Sequence, residues 1–266
     1  MGTAYMSCLE ELSKKKYKWK YVFTLQNDDI QIKTNEEIIR ILKWLGGAND
    51  VQYQLETIQK HYKKFNWTFK DLKLFRDEKL NNQVDTEGQP LSLKISNGYV
   101  QASLARTFVD FIVQKLDLTQ MLHLLNNCGE YACDELFFQT LSATEVLRAP
   151  NGFTRKCRDM DIETPYISRF SIWENASDIM PDICVSRYVR HGLCMFGLED
   201  LSANLRDNNF VFANKIRADF DFGAILCWHE EMRSRTFVDK GLKRLNSTFY
   251  QNWPQAIFKL INYFIL

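Results

Sequence analysis

The stretch CGEYACDELFFQTL (128–141) sets two cysteines and three carboxylates, Glu130, Asp134 and Glu135, just ahead of an apolar run. A carboxylate so placed could take a proton from an attacking hydroxyl. It could equally be a helix-start acid favoured by the helix dipole and do nothing more. Cys128 and Cys133 are spaced C-x4-C, Cys184 and Cys194 C-x9-C, and neither pair has nearby His or Cys to complete four metal ligands. Cys128 and Cys133 could pair with each other, or with Cys157, in an oxidising compartment. Seven cysteines are too few for a disulfide scaffold and more than a cytosolic protein needs. Sequons at Asn66, Asn175 and Asn246 tilt the chain toward a secretory route.

These residues need a frame, and the composition supplies one. The 266 residues are 45% hydrophobic and 14% aromatic, enough to bury a sizeable core. With 34 basic against 33 acidic residues there is no electrostatic case for a nucleic-acid partner. The first twenty residues hold no apolar run long enough for a signal peptide or anchor. The closing AIFKLINYFIL is apolar but holds Lys259 and is too short to span a bilayer.

Residues 20–25 read as a buried strand, and a polar turn leads to a helix over 36–45, capped by Thr34 or Asn35 and ended by Gly46-Gly47. Together they predict one α/β unit. Residues 54–82 read as a charged excursion held by Trp67, Phe69, Leu72 and Phe75, and 91–96 as a short strand. Helical periodicity covers 100–117, a second helix follows over 118–125, and 134–145 reads as a helix with Asp134 and Glu135 in its first turn. Residues 149–190 look irregular, GLCMFGLEDL (192–201) resembles a strand running into a helix, and 223–238 reads as a late helix. Without repeats or low-complexity tracts, one α/β domain spanning 1–266 is the simplest account.

Several stretches, in order, resemble the core-2/I-branching β-1,6-N-acetylglucosaminyltransferase family, which also includes the peptide O-xylosyltransferases. WKYVFTLQNDDIQIKTNEEIIRILK is similar to its W-K-Y, strand, G-Q-D-F-P-I-K-T-N and helix pattern; Asp29 is kept and the proline is lost. ISNGYVQASLARTFVDFIV resembles its serine-glycine-tyrosine stretch, CGEYACDELFFQTL its D-T-Y-S-P-D-E segment, and RFSIW (169–173) an Arg-Phe-x-x-Trp string. CVSRYVRHGLCMFGLEDL with FVFANK resembles the C-terminal block, where F-A-N-K is the most specific string.

The resemblance implies a GT-A-like (Rossmann-like) glycosyltransferase domain that starts part-way, without the first part of its nucleotide-binding half. It implies an inverting, metal-independent transfer of N-acetylglucosamine from UDP-GlcNAc to an O-glycan or glycoprotein. The alternatives are a catalytically inactive fragment or glycan-binding relative, and a protein xylosyltransferase using UDP-xylose. The place implied is the lumenal side of the Golgi membrane, with membrane association only through an N-terminal anchor absent from this chain. Glu135 matches the family's base. Lys215 matches a lysine on the donor diphosphate, where the departing UDP needs fixed cations. A second basic residue falls at Arg190 or His191; Arg190 is preferred because a guanidinium binds phosphate with two hydrogen bonds and does not titrate. On the acceptor side fall Gln52, which departs from the family's acid, with Lys60 and Lys63. Trp173 could stack on a sugar or sit in the core. Cys184 and Cys194 match a local disulfide, and Cys8 and Cys227 match positions with partners outside this chain. Asp134 is expected to be a cap and Glu130 a surface acid. The strings Asp159-Met160-Asp161 and Asp219-Phe220-Asp221 look like the metal motif of many sugar-nucleotide enzymes, but solvated or structural acids are expected, and no metal.

Overall fold

The computed structural model describes residues 2–54, 62, 65–129, 133–162, 164–174, 183–239 and 245–265. It is a mixed α/β structure whose residues divide into two compact units, both discontinuous in sequence. One comprises Met1–Thr24, Gly47–Tyr166 and Pro254–Leu266, the other Leu25–Gly46 and Ile167–Trp253.

In the first unit, Tyr21–Thr24 pairs antiparallel with Ala102–Ala105, Tyr21 opposite Ala105 and Thr24 opposite Ala102. The sequence pattern predicts helix from residue 100, but 102–105 is strand and the helix begins only at Arg106. All four strand residues are buried, and a strand covered on both faces has the same apolar signature as a buried helix turn. Asp50 exchanges backbone hydrogen bonds with Ser103 at 2.9 and 3.0 Å, covering the strand's other edge. Helices Gly2–Lys14, Arg106–Gln114 and Thr119–Asn126 close the core, and the four aromatic or aliphatic anchors of 54–82 are buried in it as expected.

Residues 91–96, expected to be a strand, form no ladder; Ser92 makes one isolated bridge to Thr68. On one side Leu93 N donates to Trp67 O at 2.9 Å and Phe69 N to Leu91 O at 2.8 Å, and on the other the neighbour is a helix. Phe137–Ala143 is buried at all seven positions, and hydroxyls serve where a strand edge would. Thr144 Oγ1 accepts from Lys94 N at 2.9 Å and Thr140 Oγ1 from Ser96 N at 3.1 Å. The alternate N–H groups of an extended chain are thus satisfied without a sheet.

In the second unit, Ile30–Gln31, Phe212–Ala213 and Arg169–Phe170 form a small sheet in that order, antiparallel then parallel. Val189–Arg190 and Leu193–Cys194 make a separate hairpin. The helix Asn35–Trp44 has the expected cap: Thr34 Oγ1 accepts from Glu37 N at 3.2 Å while Glu37 Oε2 accepts from Thr34 N at 2.7 Å. The predicted strand–turn–helix is divided, however, because the 21–24 strand belongs to the first unit and the 35–44 helix to the second. The late helix runs Phe222–Phe237, and Trp228 on it donates to Gln31 O at 2.9 Å, tying it to the sheet. Leu193–Cys194 is the expected strand of 192–201, but the helical segment that follows it directly is a single wide turn, Leu201–Leu205. Residues 254–265 are helical, and no helix among the described residues is long and apolar enough to cross a membrane.

Candidate functional site

In the first unit, Glu135 lies half-buried in a 3-10 turn, Cys133–Leu136, that precedes the Phe137–Ala143 helix. Neither acid sits in the α-helix's own first turn, and no side chain caps that helix, which corrects the role expected of Asp134. The turn is pinned by other means. Cys133 is bonded to Cys128, and its sulfur accepts from Tyr62 Oη at 2.9 Å. The Glu135 carbonyl accepts from Gly98 N at 3.1 Å.

Gly98 is the keystone of this contact. A Cβ there would lie 2.0 Å from Gln52 O and 3.2 Å from Gln139 Cγ, so only glycine fits between the two segments. Tyr99 N donates to Gln52 Oε1 at 3.0 Å, and Gln139 Nε2 donates to Tyr99 O at 2.6 Å. Gln54 N donates to Asn97 O at 2.9 Å. Gln52 and Tyr99 therefore brace the Glu135 turn, and the Gln52 amide oxygen is already engaged. Lys60, Lys63 and Glu130 lie outside the described residues.

In the second unit the cationic candidates gather around the hairpin. Its two-residue turn is His191-Gly192, with φ of 54° and 75°, the pair of positive φ values that suits the twist of a tight hairpin. His191 is exposed at the tip, while Arg190 is on the strand opposite Leu193. Trp173 is bridged to Leu193 and lies under the turn, 3.8 Å from where a Gly192 Cβ would be. Phe196 N donates to Lys215 O at 2.8 Å, joining the hairpin's exit to the half-buried FANK lysine. The Cys184–Cys194 disulfide is present. Asp200, fully buried, holds the same loop: its carboxylate accepts from Val185 N at 2.9 Å, Ser186 N at 3.2 Å, Gly197 N at 3.0 Å and Asn204 Nδ2 at 2.8 Å. It carries no sequence signal beyond its type.

Arg217, two residues past Lys215, is a further cation that motif spacing does not pick out. It grips Asp219 with Nε–Oδ1 at 2.8 Å and Nη2–Oδ2 at 2.7 Å, and reaches Asp28 Oδ2 at 3.2 Å. Arg190 Nη1 stands 3.6 Å from Asp219 Oδ2. The Arg217 fork, ahead of every other influence, holds the Asp219 carboxyl down at about 2, and Asp219 in turn raises the Arg217 guanidinium. Asp221 is a helix cap, accepting from Ala224 N at 2.9 Å and from Leu198 N at 2.9 Å. Asp219 and Asp221 are thus engaged structurally; Asp159 takes Arg155 at 3.0 Å. Among the described residues no three His, Cys, Asp or Glu side chains cluster in a way that could hold a metal ion.

Beside Asn214, the buried Asp29 faces Arg169, with Arg169 Nη1 3.8 Å from Asp29 Oδ1. Burial outweighs the backbone N–H of Gln26 and this guanidinium, and pushes the Asp29 carboxyl upward.

Residues 1–203 match the Core-2/I-Branching enzyme family. The chain belongs to it. Among curated family relatives, the Bos taurus beta-1,3-galactosyl-O-glycosyl-glycoprotein beta-1,6-N-acetylglucosaminyltransferase is 28% identical over 234 residues, covering 86% of this chain and 52% of the relative. Its Homo sapiens counterpart is 27% identical over 240 residues, covering 86% and 53%. The Ovis aries beta-1,3-galactosyl-O-glycosyl-glycoprotein beta-1,6-N-acetylglucosaminyltransferase 3 is 25% identical over 234 residues, covering 86% and 51%. The chain spans about half the length of the curated relatives it matches. Within this Core-2/I-Branching chain, the matched span contains Glu135 and Arg190, whereas Lys215 lies beyond it and rests on the FANK string.

Of the sequons, Asn246 is exposed and caps the Ser247–Gln251 helix through Phe249 N at 3.3 Å. Asn66 is exposed, but its amide nitrogen, the atom a glycan would take, donates to Asp71. Asn175 lies outside the described residues. Cys8, Cys157 and Cys227 are free thiols, so Cys128 pairs with Cys133 and not with Cys157.

Proposed function

We propose that this chain acts as an inverting, metal-independent glycosyltransferase that moves N-acetylglucosamine from UDP-GlcNAc to an O-glycan acceptor. The observation that carries the reading is the family match over 1–203, with relatives named as beta-1,6-N-acetylglucosaminyltransferases. The Glu135 carboxylate takes the proton of the acceptor hydroxyl as that oxygen attacks the anomeric carbon. The bond from that carbon to the UDP oxygen breaks on the opposite face, and the configuration inverts. UDP departs as an anion, and Lys215 and Arg190 stabilise the charge it develops. Arg190 is preferred to His191 because a guanidinium binds phosphate with two hydrogen bonds and does not titrate. Trp173 supports the hairpin, and Gln52 braces the Glu135 turn, so the acceptor contacts fall to Lys60 and Lys63. The domain is read as GT-A-like. The two disulfides support an oxidising compartment, which the reading takes to be the Golgi lumen.

The test is Glu135→Gln, which keeps the side chain's shape and removes its basicity. Transfer from UDP-GlcNAc should fall by about 10²–10⁴, the range that positioned general bases supply, with UDP affinity by calorimetry unchanged. Retained transfer refutes the assignment. Donor hydrolysis measured with UDP-GlcNAc and with UDP-xylose decides between the two sugars.

A further inference from the structure

The Arg190 side chain has a competitor for any phosphate. Asp219 Oδ2 already forms an ion pair with it at 3.6 Å, both side chains are exposed, and a modest rotation would close the pair to hydrogen-bonding distance. What holds Asp219 back is Arg217. Its side-on fork engages both Asp219 oxygens at 2.7 and 2.8 Å, and its remaining N–H group is anchored on Asp28 at 3.2 Å. The loop carrying Asp219 is also fixed against the hairpin, because Phe220 stacks on Tyr188 with ring centroids 4.8 Å apart and planes 17° apart. Asp221, two residues on, is committed to the cap of the Phe222–Phe237 helix. The loop backbone is therefore tied on the hairpin side and the helix side, and the freedom left is in the Asp219 side chain.

We infer that Arg217 is a positioning residue for donor binding: by occupying Asp219, it keeps the Arg190 guanidinium available to a nucleoside diphosphate. The inference rests on the donor reading of Arg190. Its consequence is a sign pattern that a loop-bracing role does not share. When Arg217 loses its charge, Asp219 is released to close on Arg190 from its present 3.6 Å, and the diphosphate must displace it. When Asp219 also loses its charge, the competitor is gone and binding returns.

The experiment is UDP titration by calorimetry on the whole chain and on R190M, R217M, R217K, D219N and R217M/D219N. R217M should weaken UDP binding by about five- to tenfold, roughly what one water-screened charge pair at contact is worth. R217K, which still neutralises Asp219, and D219N should stay within about twofold of the unaltered chain, and R217M/D219N should recover most of the loss. If D219N weakens binding as much as R217M and the double variant does not recover, the cluster merely braces the loop and the inference is overturned. A different failure separates the premise: if the unaltered chain binds no UDP, or R190M binds it as well as the unaltered chain, the donor reading itself falls.

Discussion

Replacing Gly98 with alanine puts the architecture around Glu135 to a direct test. At most positions where the backbone suits alanine, Gly→Ala stabilises by about 0.4–1 kcal/mol through the unfolded chain. Gly98 is not among the glycines with positive φ, so its backbone accepts alanine without strain. The obstacle is the neighbour. The new methyl would sit 2.0 Å from Gln52 O and 2.7 Å from Gln52 C, both backbone atoms that cannot swing aside as a flexible side chain would. Parting the segments costs about 1–3 kcal/mol in overpacking. It also strains the Gly98 N–Glu135 O and Tyr99 N–Gln52 Oε1 hydrogen bonds, each worth about 0.5–1.5 kcal/mol. The expected net destabilisation is about 2–4 kcal/mol. Gly88→Ala is the control: no atom lies within 4 Å, but φ is +77°, so only backbone strain of about 1–2 kcal/mol applies. Urea unfolding of both variants measures the difference, and, on the function proposed above, GlcNAc transfer by G98A should fall with it as the Glu135 turn shifts. A G98A chain as stable as the original would refute the close approach and, with it, this account of how Glu135 is held.

The buried Asp29 carboxyl is raised above its ordinary 3.8, so between that value and its native one the folded chain holds a proton the unfolded chain has lost. Its stabilising contribution is complete at low pH and disappears as pH rises through the native value; unfolding of the original chain against D29N at pH 4 and pH 6 should show the original losing ground, and a gain would overturn the sign. Asp200→Ala strands three backbone donors on the 184–197 loop and the Asn204 amide, and should cost at least about 3 kcal/mol in thermal unfolding, with a loss below about 1 refuting its role as the loop's clamp.

Legibility followed the range of the interactions. The Asn35–Trp44 helix could be read because its signals are local, a Thr34 cap at its start and Gly46-Gly47 at its end, and the Phe222–Phe237 helix falls within two residues of the span read for it. The 102–105 strand was misread because its identity depends on Tyr21–Thr24 and Asp50, dozens of residues upstream. The 91–96 segment, read as a strand, makes one isolated bridge and otherwise meets two threonine hydroxyls of the Phe137–Ala143 helix and its C-cap, which no strand-pairing rule anticipates. Glu135 could be singled out through family likeness, but the reason it is well held, the Gly98 approach to Gln52, appears only in three dimensions. Arg217 looks like any surface arginine until Asp28, distant in sequence, is seen at its other end.

The first unit is closed by its last segment. Gln255 Nε2 donates to Val51 O at 3.1 Å and Pro165 O at 2.8 Å, and Phe258 packs edge-on against Phe153 with centroids 5.0 Å apart. On the ribosome, the Gly2–Lys14 helix and the paired 21–24 and 102–105 strands emerge long before Pro254. At about 5–20 residues per second, they wait roughly 7–30 s for the helix that seals them, while Ile167–Trp253, the larger part of the second unit, is synthesised in between. A premature stop just before residue 254 would therefore damage the first unit and leave the second with all of its residues.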